Sequence, residues 1–135
     1  MAEFVMKQLV REAGLTGSFR IASAAVSAEE TGNDIYPPAR RKLAQKGIPF
    51  EHRSARQLTR DDYRYYDRIV CMDGSNLRLL RLLVGEDPDR KVSLLMQWAG
   101  SERDVADPWY TGDFEAAYSD IYKGCRCLLA ALTGR

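Results

Sequence analysis

"RIVCMDGSNLRLLRLLVGEDPDRKVSLLMQWA", residues 68–99, sets the fold class. Its opening, "RIVCMD" (68–73), is a compact apolar run that reads as a strand. "SNLRLLRLLVG" follows and reads as a helix with its leucines on the buried face. "KVSLLMQWA" (91–99) reads as the next strand. Strand, helix, strand in so short a span predicts a parallel pair joined by a crossover helix.

Outward from this unit the alternation continues. Residues 1–13 place Phe4, Val5, Leu9 and Val10 near one face of an amphipathic helix that stops at Gly14. "SFRIASAAVS" (18–27) reads as a strand. A polar loop then leads to Pro37 and Pro38, where a helix begins because proline is tolerated in a first turn. Thr59 stands before two acids as an N-cap. "FEAAYSDIYKGCRCLLAAL" makes a long closing helix despite Gly124. The expectation is one layered α/β domain over 1–135 with a parallel sheet, three strands and about five helices. That is little sheet for so much helix, and the chain opens on a helix where such folds usually open on a strand.

The 135 residues are 45% hydrophobic and 29% charged, the profile of a soluble globular chain. With 20 basic and 19 acidic residues the formal charge is +1, so no global field favours nucleic acid or an anionic membrane. No apolar run approaches the ~20 residues of a bilayer span, and the first residues carry no signal-peptide pattern. Three cysteines, Cys71, Cys125 and Cys127, without secretory context predict reduced thiols in the cytoplasm. His52 is the single histidine, which excludes metal sites that need two imidazoles.

"DVADPWYTGDFEAAY" (104–118) carries the most chemical content. Pro108 biases Asp107 toward an extended backbone, and Trp109 and Tyr110 set two aromatic faces beside it. Such a loop can hold a carboxyl group near a flat apolar slot, suited to protonating an aromatic leaving group. It can equally be a surface turn with its aromatics tucked into the core.

"IASAAVS", "YPPARRKLAQKGI", "ARQLTRDDYRYYD", "CMDGSNLRLL" and "DVADPWYTGDFEAAY" occur in the order and approximate spacing of the low-molecular-weight protein tyrosine phosphatases, which this chain resembles from residue 1 to about 132. "MDGSNLR" and "DPWYTGDF" are the most specific elements. The resemblance implies a three-layer α/β fold with a four-stranded parallel sheet, hydrolysis of phosphotyrosine through a phosphocysteine, and no cofactor or metal. It implies Asp107 as general acid and Trp109 and Tyr110 as walls of the substrate slot. Ser23 resembles a serine supporting the phosphate loop, and Asp73 and Asn76 lie in a motif packed behind that loop.

Three departures stand out. Ala22 and Ala24 replace the family's aspartate and glycine around the serine. His52 lies one residue out of register with a family histidine and reads as an isolated exposed side chain. The family's opening strand and its C-x-G-N-x-C-R-S-P loop, which precede the first helix, have no counterpart in these residues. Met1-Ala2-Glu3-Phe4 matches what directly follows that serine–proline pair.

That loop supplies backbone N–H groups and a helix dipole for the phosphate dianion, a thiolate, and an arginine gripping the developing charge. No other segment replaces it. The sixth residue after Cys71 is Leu77, after Cys125 Ala131, and after Cys127 Thr133. "CMDGSNLR" is the nearest decoy, but Arg78 is one residue too far, Asp73 repels an entering anion, and Cys71 sits in an apolar run. Cys125 and Cys127 point to different sides of a helix and read as packing residues.

The expected function is therefore that of the phosphatase family, with this polypeptide inactive as written. The alternative is a non-catalytic binding module using the aromatic surface of Trp109, Tyr110 and Tyr36. An arsenate-handling role on the same scaffold needs further cysteines on a mobile segment, which these positions do not suit. Expected partners are a phosphotyrosine protein or small aryl phosphate once the loop is restored, with neither nucleic acid nor membrane. Without the family's central strand, either the remaining strands close on each other or two copies pair through exposed edges.

Overall fold

The computed structural model describes residues 1–26, 32, 34–52, 54–106 and 112–134. Helix α1 spans Ala2–Glu12, α2 Pro37–Gln45, α3 Arg60–Tyr65, α4 Gly74–Val84 and α5 Phe114–Thr133, with strands β1 at Ile69–Cys71 and β2 at Val92–Leu94. The strands pair in parallel, Ile69 opposite Val92 and Cys71 opposite Leu94, with α4 as their crossover.

Alternation along β1 divides the core in two. Val70 packs toward a large cluster built from Phe4, Val5, Leu9 and Val10 of α1, Leu43 of α2, Leu95 and Met96, and Ile121, Cys125 and Leu128 of α5. Ile69 and Cys71 face the other way, into a smaller cluster with Leu80 of α4 and Leu94. The result is a three-layer α/β arrangement, with α1, α2 and α5 on one side of the sheet and α4 on the other.

Local signals explain most boundaries. Thr59 caps α3 reciprocally with Asp62: the Thr59 Oγ1 accepts from Asp62 N at 3.2 Å while the Asp62 carboxylate accepts from Thr59 N at 2.8 Å. Pro37 and Pro38 open α2. Gly124 in mid-α5 has a packing reason: a Cβ there would lie 2.5 Å from Leu95 Cγ, so glycine lets the helix approach the turn that follows β2.

Two strand expectations need correction. Residues 18–27 do not form a strand among the described residues. Thr16–Ser18 make a 3-10 turn, and the chain beyond it makes a single parallel bridge, Ala25 with Gln57. Residues 19–24 make no backbone–backbone hydrogen bonds among the described residues, so nothing there forms a ladder. The strand expected over 91–99 is confined to Val92–Leu94, and Leu95–Ala99 coil into a 3-10 turn. The Gln97 side chain accepts from Leu94 N at 3.0 Å, and Gly100 at φ 79° ends the turn. The leucines of α4 also divide: Leu80 is 1% exposed, whereas Leu82 is 81% exposed.

Candidate active site

Two of the residues singled out from sequence, Asp73 and Asn76, lie just beyond the C-terminal end of β1, where ligand sites of parallel sheets are usually built. Asp73, just after β1, is the N-cap of α4 and accepts from Asn76 N at 2.7 Å. Asp104 reaches the same helix start from the far loop, its Oδ1 accepting from Gly74 N at 3.0 Å. Two carboxylates thus occupy the first turn of α4, the position an anion would need. Asp73 and Asn76 form a helix cap, and no hydrogen bond links either to Ser23.

Ser23 belongs to a different cluster. Its Oγ donates to Glu3 Oε1 at 2.7 Å, and Lys7 Nζ donates to Glu3 Oε2 at 2.6 Å. Glu3 is the buried charged residue of the described core, 6% exposed, and the lysine one turn on balances it. Its E-x-x-x-K spacing was visible in sequence, but its burial was not.

The thiols sit in apolar surroundings. Cys71 is buried, and burial, with the Asp73 carboxylate second, pushes its pKa up to about 11. Burial pushes Cys125 up to about 12, partly offset by the amino terminus. Neither is a thiolate at neutral pH. His52 is 91% exposed and lies 2.5 Å from Asp34 Oδ2 through Nδ1, so it is exposed as expected but not isolated.

Asp107, Trp109 and Tyr110 lie outside the described residues. The segment leading to them is tied to the body of the fold. Val105 is buried and donates its N–H to Met72 O at 2.9 Å, at the end of β1. Asp120 of α5 accepts from both terminal nitrogens of Arg103, at 2.7 and 2.5 Å, and from Ala106 N at 2.9 Å. The Arg103 guanidinium, then the Ala106 N–H, hold the Asp120 carboxyl below the usual aspartate range despite burial. Sequence reading missed Arg103, Asp104 and Asp120, because nothing in their spacing marks a contact between a loop and a helix 17 residues on. At the start of α5, Phe114 pairs with Tyr36, ring centroids 6.0 Å apart, in an open groove also lined by Pro38, Arg41 and Lys42.

Fold and site together define an α/β protein with polar loops collected at one end of a parallel sheet. Comparison with known proteins makes the class specific. The family model described as low molecular weight phosphotyrosine protein phosphatase matches residues 1–135. The chain is 32% identical to the low molecular weight protein-tyrosine-phosphatase YfkJ of Bacillus subtilis over 134 residues, covering 98% of this chain and 86% of that protein. It is 35% identical to the human low molecular weight phosphotyrosine protein phosphatase, covering 96% of this chain and 84% of the relative. The crystal structure of YfkJ superposes with a TM-score of 0.93 over 98% of this chain and 85% of that one. That of SP-PTP from Streptococcus pyogenes gives 0.86 at 34% identity, over 97% and 82%. The chain belongs to the low molecular weight phosphotyrosine protein phosphatase family and has its α/β fold.

Proposed function

We propose that these residues form one phosphotyrosine phosphatase domain in which Asp107 is the general acid, Trp109 and Tyr110 flank the leaving phenol, and Ser23, Asp73 and Asn76 support the loops behind. We further propose that the 135 residues by themselves do not turn over phosphate esters. One observation carries this: no cysteine here has an arginine at its sixth following position; burial also pushes the Cys71 and Cys125 thiols up, to about 11 and about 12. The filled N-terminus of α4 supports it, because the decoy loop at Cys71 offers a phosphate two carboxylates. Glu3 takes the hydroxyl of Ser23, which leaves that serine tied to α1.

The test is hydrolysis of para-nitrophenyl phosphate. The 135-residue chain should show only background, and turnover that disappears in Cys71→Ser would overturn the proposal. A version extended at its front with a strand and a C-x-G-N-x-C-R-S-P loop should hydrolyse the ester. It should lose roughly 10²–10⁴-fold in Asp107→Asn, the usual worth of a positioned proton donor.

A second reading, a non-catalytic binding module, draws on the exposed Tyr36 ring beside Phe114. Phosphopeptide binding by the 135-residue chain in calorimetry, abolished by Tyr36→Ala, would favour it. β1 has one ladder partner among the described residues, which supports pairing of two copies through the free edge. Sedimentation as a monomer at micromolar concentration would count against that association. A cytoplasmic location fits the reduced thiols, and among the described residues no helix is long and apolar enough to cross a membrane.

A further inference from the structure

Three consecutive residues ahead of the acid loop are tied to three different elements. The Asp104 side chain takes Gly74 N at the start of α4, Val105 N donates to Met72 O beyond β1, and Ala106 N donates to the Asp120 carboxylate on α5. Surface connections are usually held far more loosely. Asp120 makes the last of these ties, and its side chain is only 13% exposed. Both its oxygens are engaged: Oδ1 takes one arm of Arg103, and Oδ2 takes the other arm together with Ala106 N. Arg103 Nη1 also donates to Asp104 O at 3.1 Å, so the guanidinium braces the same strip of backbone that the carboxylate holds.

Ala106 is covalently bonded to Asp107. We infer that Asp120, braced by Arg103, is a positioning residue that fixes the point from which the acid-bearing loop departs. The inference rests on the reading of Asp107 as proton donor for its functional meaning. Its geometry does not need turnover. The other two ties do not pass through Asp120, so its loss frees Ala106 while Asp104 and Val105 stay anchored.

The test uses the ¹⁵N-labelled 135-residue chain and two observables: hydrogen exchange of the Ala106 amide, and the indole signals of Trp98 and Trp109, its two tryptophans. Trp98 donates to Ser93 Oγ at 3.0 Å beside β2 and reports the body of the fold. Asp120→Ala should speed Ala106 exchange about tenfold, the loss of one charge-assisted bond. It should shift or broaden the Trp109 indole while leaving the Val105 amide and the Trp98 indole unchanged. Asp120→Asn keeps an acceptor for Ala106 N but loses the charge on Arg103, and should fall between wild type and alanine on both observables. Unchanged Ala106 exchange in Asp120→Ala, or Trp98 and Trp109 signals moving together, overturns the inference. If Asp120→Ala does not fold, Asp120→Asn decides, and a wild-type Trp109 signal in it is the refuting result. No outcome depends on whether the chain hydrolyses anything, so failure of the catalytic reading is separately visible.

Discussion

Gly124→Ala isolates the contact between the closing helix and the turn after β2. Alanine is the better helix former by about 1 kcal/mol in an exposed helix interior. Here the added methyl would sit 2.5 Å from Leu95 Cγ and 3.0 and 3.1 Å from its two Cδ atoms. The nearest atom is the branch point of a side chain that is 1% exposed, so Leu95 cannot swing into solvent to relieve the overlap. Overpacking of this kind costs typically about 1–3 kcal/mol, which exceeds or at least cancels the propensity gain. The expected net effect is a loss of up to about 2 kcal/mol. The assay is urea unfolding followed by circular dichroism, with a double-mutant cycle against Leu95→Ala. In the Leu95→Ala background the overlap is gone, and Gly124→Ala should turn stabilising by about 1 kcal/mol. A higher unfolding midpoint for Gly124→Ala in the wild-type background would refute the reasoning.

Alkylation with iodoacetamide at pH 7.5, read by peptide mass spectrometry, should label the half-buried Cys127 first and spare the buried Cys71 and Cys125 in the native chain. Comparable labelling of Cys71 would contradict its apolar setting. Stability should hold level above about pH 5 and fall as pH drops below about 4. Asp62, held down chiefly by Arg56, and Asp120, held down chiefly by Arg103, both have folded-state pKa values below their ordinary ones. The unfolded chain therefore binds protons first, and the stability these carboxylates contribute is lost as pH falls through their folded values. Asp62→Asn should flatten that decline, and an unaltered slope would exclude Asp62 from it. Thr59→Ala, which removes the Oγ1 that accepts from Asp62 N, should lower unfolding stability by about 1 kcal/mol, whereas Ser75→Ala on exposed α4 surface should change little.

What could be read from the sequence and what could not divide along a physical line. Helices were legible because their signals are local: the Pro37–Pro38 start and the Thr59 cap each lie within a turn of the boundary they set. Residues 18–27 have the apolar, β-branched character of a strand, but a strand also needs a partner, and partners are long-range. Without ladder bonds, residues 19–24 do not make a strand. The strand expected to run to Ala99 stops at Leu94 because one glutamine, Gln97, satisfies the Leu94 N–H internally. The site divides in the same way. The protonated, buried state of Cys71 follows from its neighbours in sequence, and the cap formed by Asp73 and Asn76 is a three-residue motif. The Glu3–Ser23 bond and the Asp120–Ala106 tie join residues with no mutual spacing rule. For Asp120 the consequence is mechanistic. A carboxylate that holds two guanidinium nitrogens and a backbone amide has three of its roughly four acceptor sites taken, and its pKa lies below the usual aspartate range. Such a carboxylate is suited to holding backbone in place, in keeping with the positioning role inferred for Asp120 and with the proposed assignment of proton donation to Asp107.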